Sequence, residues 1–225
     1  MDITVLDDPA EAVADLLVAA AADGGQIVLT GGSSPKRAYE IAAARDADWS
    51  GATVWFSDER CLPPDHELSN YAMANAALLS RLASPPHVER MQGELGEEAG
   101  AKAYEAAIRE RLGNEPRWDV ELLGLGPDAH VASLFPSKPE TEVTDRFVVG
   151  VPEAGMEPLV PRISLTLPAL NAARHVVFLV TGAEKAEAVR RAFGDPPDVT
   201  SPAARVRPGT GELTVLLDPS AAATW

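Results

Sequence analysis

The sequence predicts an α/β fold: a mostly parallel sheet sandwiched by helices, in a single domain over residues 1–225. Three observations lead there. Short segments rich in β-branched residues and almost continuously apolar recur along the chain, the pattern of strands buried on both faces. Amphipathic, alanine-rich stretches of helical length separate several of them. No linker, internal repeat or low-complexity tract divides the chain, and 46% of its residues are apolar, enough material for one core at this length.

Taken in order, Pro9–Ala22 is the first amphipathic helix, "QIVLT" (Gln26–Thr30) the first strand and Pro35–Ala44 the next helix. "TVWFS" (Thr53–Ser57) is the second strand, and Asn70–Leu82 and Glu97–Leu112 are the following helices. "DVELLG" (Asp119–Gly124), "RFVVGV" (Arg146–Val151), "RISLT" (Arg162–Thr166) and "HVVFLVT" (His175–Thr181) are further strands. Helix Ala183–Phe193 and strand "LTVLL" (Leu213–Leu217) close the pattern. Such alternation implies a Rossmann-like sheet. In sheets of this kind ligands bind outside the carboxyl ends of the strands, where loops lead into helices.

The totals narrow the function. Nineteen basic against 34 acidic residues give a net charge of −15, which disfavours nucleic acid and anionic membrane surfaces as partners. An anionic ligand therefore needs a few Arg and Lys gathered locally. The single Cys61 excludes an intrachain disulfide framework and fits a reducing compartment. The N-terminus has no basic, apolar signal pattern and no run is long and apolar enough to span a membrane, so a cytoplasmic protein is expected. No histidine pair shows metal-ligand spacing, and no metal is expected.

Four strand-end segments carry candidate chemistry. In "LTGGSSPKRAYE" (Leu29–Glu40), Gly31 and Gly32 allow close backbone approach, Ser33 or Ser34 can cap the next helix, and Pro35 suits its first turn. A helix start behind paired glycines suits a phosphate, though the same residues also fit an ordinary capped turn. In "WFSDERCLPPDHELSNYAMA" (Trp55–Ala74), Arg60 can grip an oxyanion through two parallel hydrogen bonds. The charged run Asp58, Glu59, Arg60 equally suits a solvated turn, and Cys61 has no evident base beside it.

The third segment, "LGLGPDAHVASLFP" (Leu123–Pro136), places Asp128 and His130 after a Gly-x-Gly turn and before a helix-like "VASLF". An imidazole, with an unperturbed pKa of about 6.5, serves as a general base near neutrality. Asp128 can orient it or an attacking water, or merely cap the short helix. The fourth is the pair Arg162 and Lys185, each close to a strand end. With the Gly31–Gly32 loop they would form the local cation cluster an anion needs.

Together, "LTGGSSP", "WFSDERCLPPDHELSNYAMA", "LLGLGPDAHVASLFP", "PRISLT" and "RVRPGTGELTVLLDPSAA" resemble the 6-phosphogluconolactonases of the pentose phosphate pathway. The resemblance runs from about Thr30 to Ala222. It implies hydrolysis of a sugar-phosphate lactone, 6-phospho-D-glucono-1,5-lactone, without a cofactor. On that reading His130 is the base, Asp128 positions it or the water, and Arg60 faces the oxyanion. Gly31, Gly32, Ser33, Arg162 and Lys185 hold the phosphate.

Two departures stand out: Ala129 occupies a position where the family usually has Gly, and Ser57 one where it often has Gly. The related glucosamine-6-phosphate deaminases are the competing enzyme class, and a non-catalytic sugar-phosphate sensor the competing binding class. In the deaminases a Glu five residues after the His supports it; here that position is Phe135, which carries no proton. The roles of Glu59 and Cys61, and the choice between monomer and dimer, stay open at the level of sequence.

Overall fold

A computed structural model describes residues 1–225. The elements run β1 (Asp2–Val5), α1 (Pro9–Ala22), β2 (Gln26–Leu29), α2 (Ser33–Ala43), β3 (Thr53–Phe56), β4 (Asp58–Arg60) and α3 (Asn70–Ala77). They continue as β5 (His87–Val88), α4 (Glu97–Leu112), β6 (Val120–Leu123), β7 (Val148–Val151) and β8 (Arg162–Leu165). Last come α5 (Leu167–Leu170), β9 (His175–Val180), α6 (Ala186–Phe193) and β10 (Glu212–Leu217).

Seven strands form an all-parallel sheet in the order β1-β10-β9-β6-β2-β3-β5. The expected strands at Gln26, Thr53, Asp119, His175 and Leu213 are its interior. They are continuously apolar because helices cover the sheet: α1 and α2 pack on each other, and α1 also packs on β2, β6 and β9. The chain's longest helix, α4, is tied in at its middle through Tyr104, whose hydroxyl donates to Phe56 O (3.1 Å) and accepts from Phe56 N (2.8 Å).

The connectivity makes a topological switch. From β2 the chain moves outward to β3 and β5, then returns to lay β6 on the other side of β2 and continue to β9 and β10. The loops after β2 and β6 therefore leave the sheet in opposite directions and open a crevice between them, the usual ligand position in such folds.

Two expected strands, Arg146–Val151 and Arg162–Thr166, do not join the parallel sheet. They shorten to β7 and β8 and pair antiparallel with each other, and β8 pairs antiparallel with β4. Their apolar run comes from burial against α4, which is compatible with either kind of sheet. β1, β4 and β5 carry no strand pattern in sequence: "DER" is charged, "HV" is two residues long, and β1 is a partly exposed edge.

Helix boundaries also shift. Asn70–Leu82 ends as α3 at Ala77 and continues as a 3-10 turn, Leu79–Arg81; Ala183–Phe193 starts as a 3-10 turn, Ala183–Lys185, before α6. The "VASLF" segment is no helix. Ala132 sits at φ 50° and Val131 bridges Leu134, closing a tight hairpin-like turn instead. No helix is long and apolar enough to cross a membrane.

Candidate active site

The crevice at the switch point is a cleft of about 250 Å³ lined by loop residues after β2 and β6, by β4 and β8, and by Lys185. Its first wall starts at Thr30. The Tyr39 hydroxyl of α2 accepts from Thr30 N (2.9 Å) and donates to Thr30 O (2.8 Å), pinning the strand end. Gly31 follows, and a Cβ there would meet Asn70 Oδ1 at 2.0 Å, so only glycine lets Asn70 reach across. Gly32, at φ 111°, precedes α2. Neither serine caps the helix. Ser33 is exposed and lies outside the cleft lining, and Ser34 instead hydrogen-bonds Thr181.

The second wall is the turn after β6. Ala129 N donates to Gly126 O (2.9 Å) and Gly126 N to His130 O (3.0 Å). Gly126 lies directly under the imidazole: a Cβ there would sit 2.0 Å from His130 Nδ1. Asp128 caps no helix. Its Oδ1 accepts from His130 N at 3.1 Å and stands 2.6 Å from His130 Nδ1. Burial alone pushes the Asp128 carboxyl up, but hydrogen bonding and charge from His130 outweigh it and hold the carboxyl below its ordinary range. An ionised Asp128 places the imidazole proton on Nδ1 and leaves Nε2 free to accept one.

Ala129 has φ 64°, the left-handed region, where an L-residue other than glycine pays about 1–2 kcal/mol. Its methyl group is fully buried. The turn therefore keeps a glycine-like shape while carrying a side chain.

The third wall is the small antiparallel sheet. Strand alternation points Asp58 and Arg60 into the cleft and Glu59 away from it. Glu59 is a structural acceptor. It takes hydrogen bonds from Arg60 N, Asn70 N, Tyr71 N and Ser69 Oγ at 2.7–2.9 Å, seating the start of α3. Burial raises its carboxyl despite those bonds. Asp58 accepts from Ser133 Oγ (2.7 Å) and Asn70 Nδ2 (3.2 Å), linking three segments beneath the site. Ser57 is fully buried and donates to Asp58 Oδ1 (3.2 Å), so its hydroxyl joins this network.

Arg60 and Arg162 are register partners across β4 and β8. Arg60 Nη1 donates to Leu68 O, and Arg162 Nη2 donates to Met156 O (3.1 Å) and Pro158 O (3.0 Å). Both Nε atoms are buried without a partner. Arg162 is only 3% exposed, and its guanidinium lies 5.4 Å from the centroid of the Phe135 ring. Burial lowers the proton affinity of Arg162, while Asp58 partly restores it. Lys185 enters from the turn after β9; burial pulls its ammonium down, and Glu184 and Asp128 oppose that.

The cleft thus gathers His130, Arg60, Gly31, Gly32, Arg162 and Lys185, and adds Asp58 and Asn70; Asp128 lies outside the lining and reaches it through His130. The sequence signal for Asn70 was its place in the Ser-Asn-Tyr run; for Asp58 it was a charged residue directly after an apolar strand. Phe135 is buried with its ring centroid 4.6 Å from that of His130. The Cys61 thiol is pushed up to about 12 by burial, with Glu97 and Glu59 adding to the effect. No group of three His, Cys, Asp or Glu side chains is close enough to hold a metal ion.

Comparison with known proteins agrees with this architecture. A 6-phosphogluconolactonase of Streptomyces coelicolor is 41% identical over 211 residues, covering 87% of this chain and 80% of that protein. The 6-phosphogluconolactonase of Homo sapiens is 38% identical over 185 residues, covering 81% of this chain and 71% of that one. The solved structure of 6-phosphogluconolactonase from Trypanosoma cruzi superposes with a TM-score of 0.86 at 28% identity, over 99% of this chain and 96% of that chain. The family model described as glucosamine-6-phosphate isomerases/6-phosphogluconolactonase matches residues 4–215. The chain belongs to that family.

Proposed function

We propose that the protein hydrolyses 6-phospho-D-glucono-1,5-lactone to 6-phospho-D-gluconate, a step of the oxidative pentose phosphate pathway in the cytoplasm. The observation that carries this reading is His130, backed by Asp128 at 2.6 Å and sharing one cleft with three cationic side chains. A proton acceptor beside an anion-binding surface matches a phosphorylated ester.

Gly31, Gly32, Arg162 and Lys185 hold the phosphate, and Ser33 contributes at the exposed start of α2. Fixing that end orients the lactone carbonyl, and remote binding energy of this kind supports the reacting geometry. His130 Nε2 takes a proton as water attacks C1, while Asp128 stabilises the imidazolium through Nδ1. Arg60 faces the developing oxyanion, where a preorganised donor stabilises charge as it forms. The tetrahedral intermediate then collapses, the C1–ring oxygen bond breaks, and His130 returns its proton to the leaving oxygen. No covalent enzyme intermediate is needed.

Phe135 separates this chemistry from deamination. A buried aromatic ring against His130 exchanges no proton, whereas lactone hydrolysis needs one base and one stabilised oxyanion. Parallel assays decide between them. The expected outcome is hydrolysis of the lactone well above its spontaneous rate and no ammonia from glucosamine 6-phosphate; the reverse pattern would refute the assignment.

A further inference from the structure

The turn that presents His130 is held from outside by a side chain with no place in the cleft. Arg191 of α6 donates from Nη1 to the main-chain oxygen of Asp128 (3.2 Å) and from Nε to Asp198 Oδ2 (3.0 Å). Asp198 is itself fixed. It accepts from Thr200 N (3.0 Å), Thr200 Oγ1 (2.6 Å) and Ser201 Oγ (3.3 Å), and its own N–H donates to Arg191 O (2.8 Å). The Thr200 and Arg191 hydrogen bonds bring its carboxyl down to about 2, so the anion that aims Arg191 persists across the working pH range.

The bonded atom matters because of its neighbour. Ala129 sits at φ 64°, and its direct route to a relaxed negative φ is a flip of the Asp128–Ala129 peptide plane. That flip swings the Asp128 carbonyl to the other side, breaking the Arg191 hydrogen bond, and takes the Ala129 N–H from Gly126 O. With the Ala129–Gly126 hydrogen bond gone, the tight turn that carries Asp128 and His130 keeps only the Gly126 N to His130 O bond between its two ends, so the pair is less firmly held. The next carbonyl, Ala129 O, is held by Ala203 N at 3.2 Å, so the C-terminal segment grips two successive peptide planes of the turn. A charge-assisted hydrogen bond is large enough to offset the penalty of one left-handed alanine.

We infer that Arg191 is a positioning residue for lactone hydrolysis: it locks the Asp128–Ala129 peptide in the strained orientation that aligns the Asp128–His130 pair. The inference rests on the lactonase reading. It also explains how the turn tolerates alanine where glycine would impose no strain.

The test is a double-mutant cycle with Arg191→Met and Ala129→Gly, reading kcat and KM for fresh 6-phosphogluconolactone after subtraction of spontaneous hydrolysis. Arg191→Met is expected to lower kcat about tenfold, the equivalent of one charged hydrogen bond, with KM little changed. In the Ala129→Gly background the same substitution should cost only about twofold, because glycine holds the left-handed conformation unaided. Thermal melts establish that each variant is folded at the assay temperature.

Equal losses in both backgrounds, no loss in either, or an effect confined to KM would each overturn the inference. An inactive wild-type protein would instead refute the lactonase reading itself. The two failures are therefore distinguishable.

Discussion

Arg60 and Arg162 stand directly opposite each other in the antiparallel β4–β8 pair, with a buried, unpartnered Nε on each. Like charges at directly paired positions are destabilising in a sheet, and this pair is kept beside a cleft in a protein of net charge −15. Such an arrangement gains when an anion enters. Inorganic phosphate or 6-phosphogluconate should therefore raise the melting temperature in a concentration-dependent way, the stabilisation reaching about 2.7 kcal/mol at a hundredfold excess over Kd. A melting temperature indifferent to both anions would count against an anion site.

Arg162 and Lys185 should not behave alike when removed. The Lys185 side chain is half-buried and its ammonium ties down no other segment, so Lys185→Ala should raise KM with little effect on kcat or folding. Arg162 also ties down the loop before β8 through Met156 O and Pro158 O. Arg162→Ala should raise KM and also cost about 1–3 kcal/mol of stability, since two part-buried carbonyls lose a charged donor. Urea melts beside steady-state kinetics test the split; unchanged KM in both variants would remove these residues from the phosphate site.

Glu121 predicts a pH dependence of stability. It lies in the centre of β6, fully buried, with neither carboxyl oxygen hydrogen-bonded. Val28 and Val176 flank it across the sheet. Burial raises its pKa well above the ordinary carboxylate range, so the folded state holds a proton that the unfolded chain releases above about pH 4.3. The sign follows: its contribution is present in acid and is lost as pH rises towards the folded value. Glu121→Gln should flatten the decline in unfolding free energy between pH 5 and 8. Glu121→Met should also raise stability by about 1–3 kcal/mol by removing unpartnered polar atoms. An unchanged pH slope in Glu121→Gln would contradict this.

Cys61 should be a spectator despite sitting next to Arg60. With its thiol pushed up to about 12, almost none is thiolate near neutrality, and the thiolate is the reactive form. Cys61→Ser is expected to keep wild-type kcat, and iodoacetamide at pH 7.5 should label the native protein slowly. Rapid labelling with loss of activity would show a different role.

Much of this site was legible because its chemistry sits at strand ends. An apolar run followed by Gly-x-Gly, Asp and His marks the β6 turn, and one followed by Gly-Gly marks the β2 turn, whatever the order of strands. The small sheet was not legible. "RISL" is buried on both faces and "VVGV" largely so, and apolar character encodes burial, not the direction of the neighbour. "VASLF" has helical spacing, yet Ala132 at φ 50° breaks the helix, because the turn must bring Ser133 onto Asp58. Arg191 was invisible for another reason: its partner is a main-chain oxygen, which carries no residue identity.

The central claim is that His130 is the base of a phospholactonase. The most direct measurement is the hydrolysis of freshly generated 6-phosphogluconolactone, coupled to 6-phosphogluconate dehydrogenase, for wild type and His130→Ala against the uncatalysed background. The account predicts a wild-type rate far above background and a loss of about 10²- to 10⁴-fold in kcat for the variant, with KM little changed. A variant retaining wild-type kcat would contradict the assignment of the base, and a wild-type rate equal to background would contradict the function.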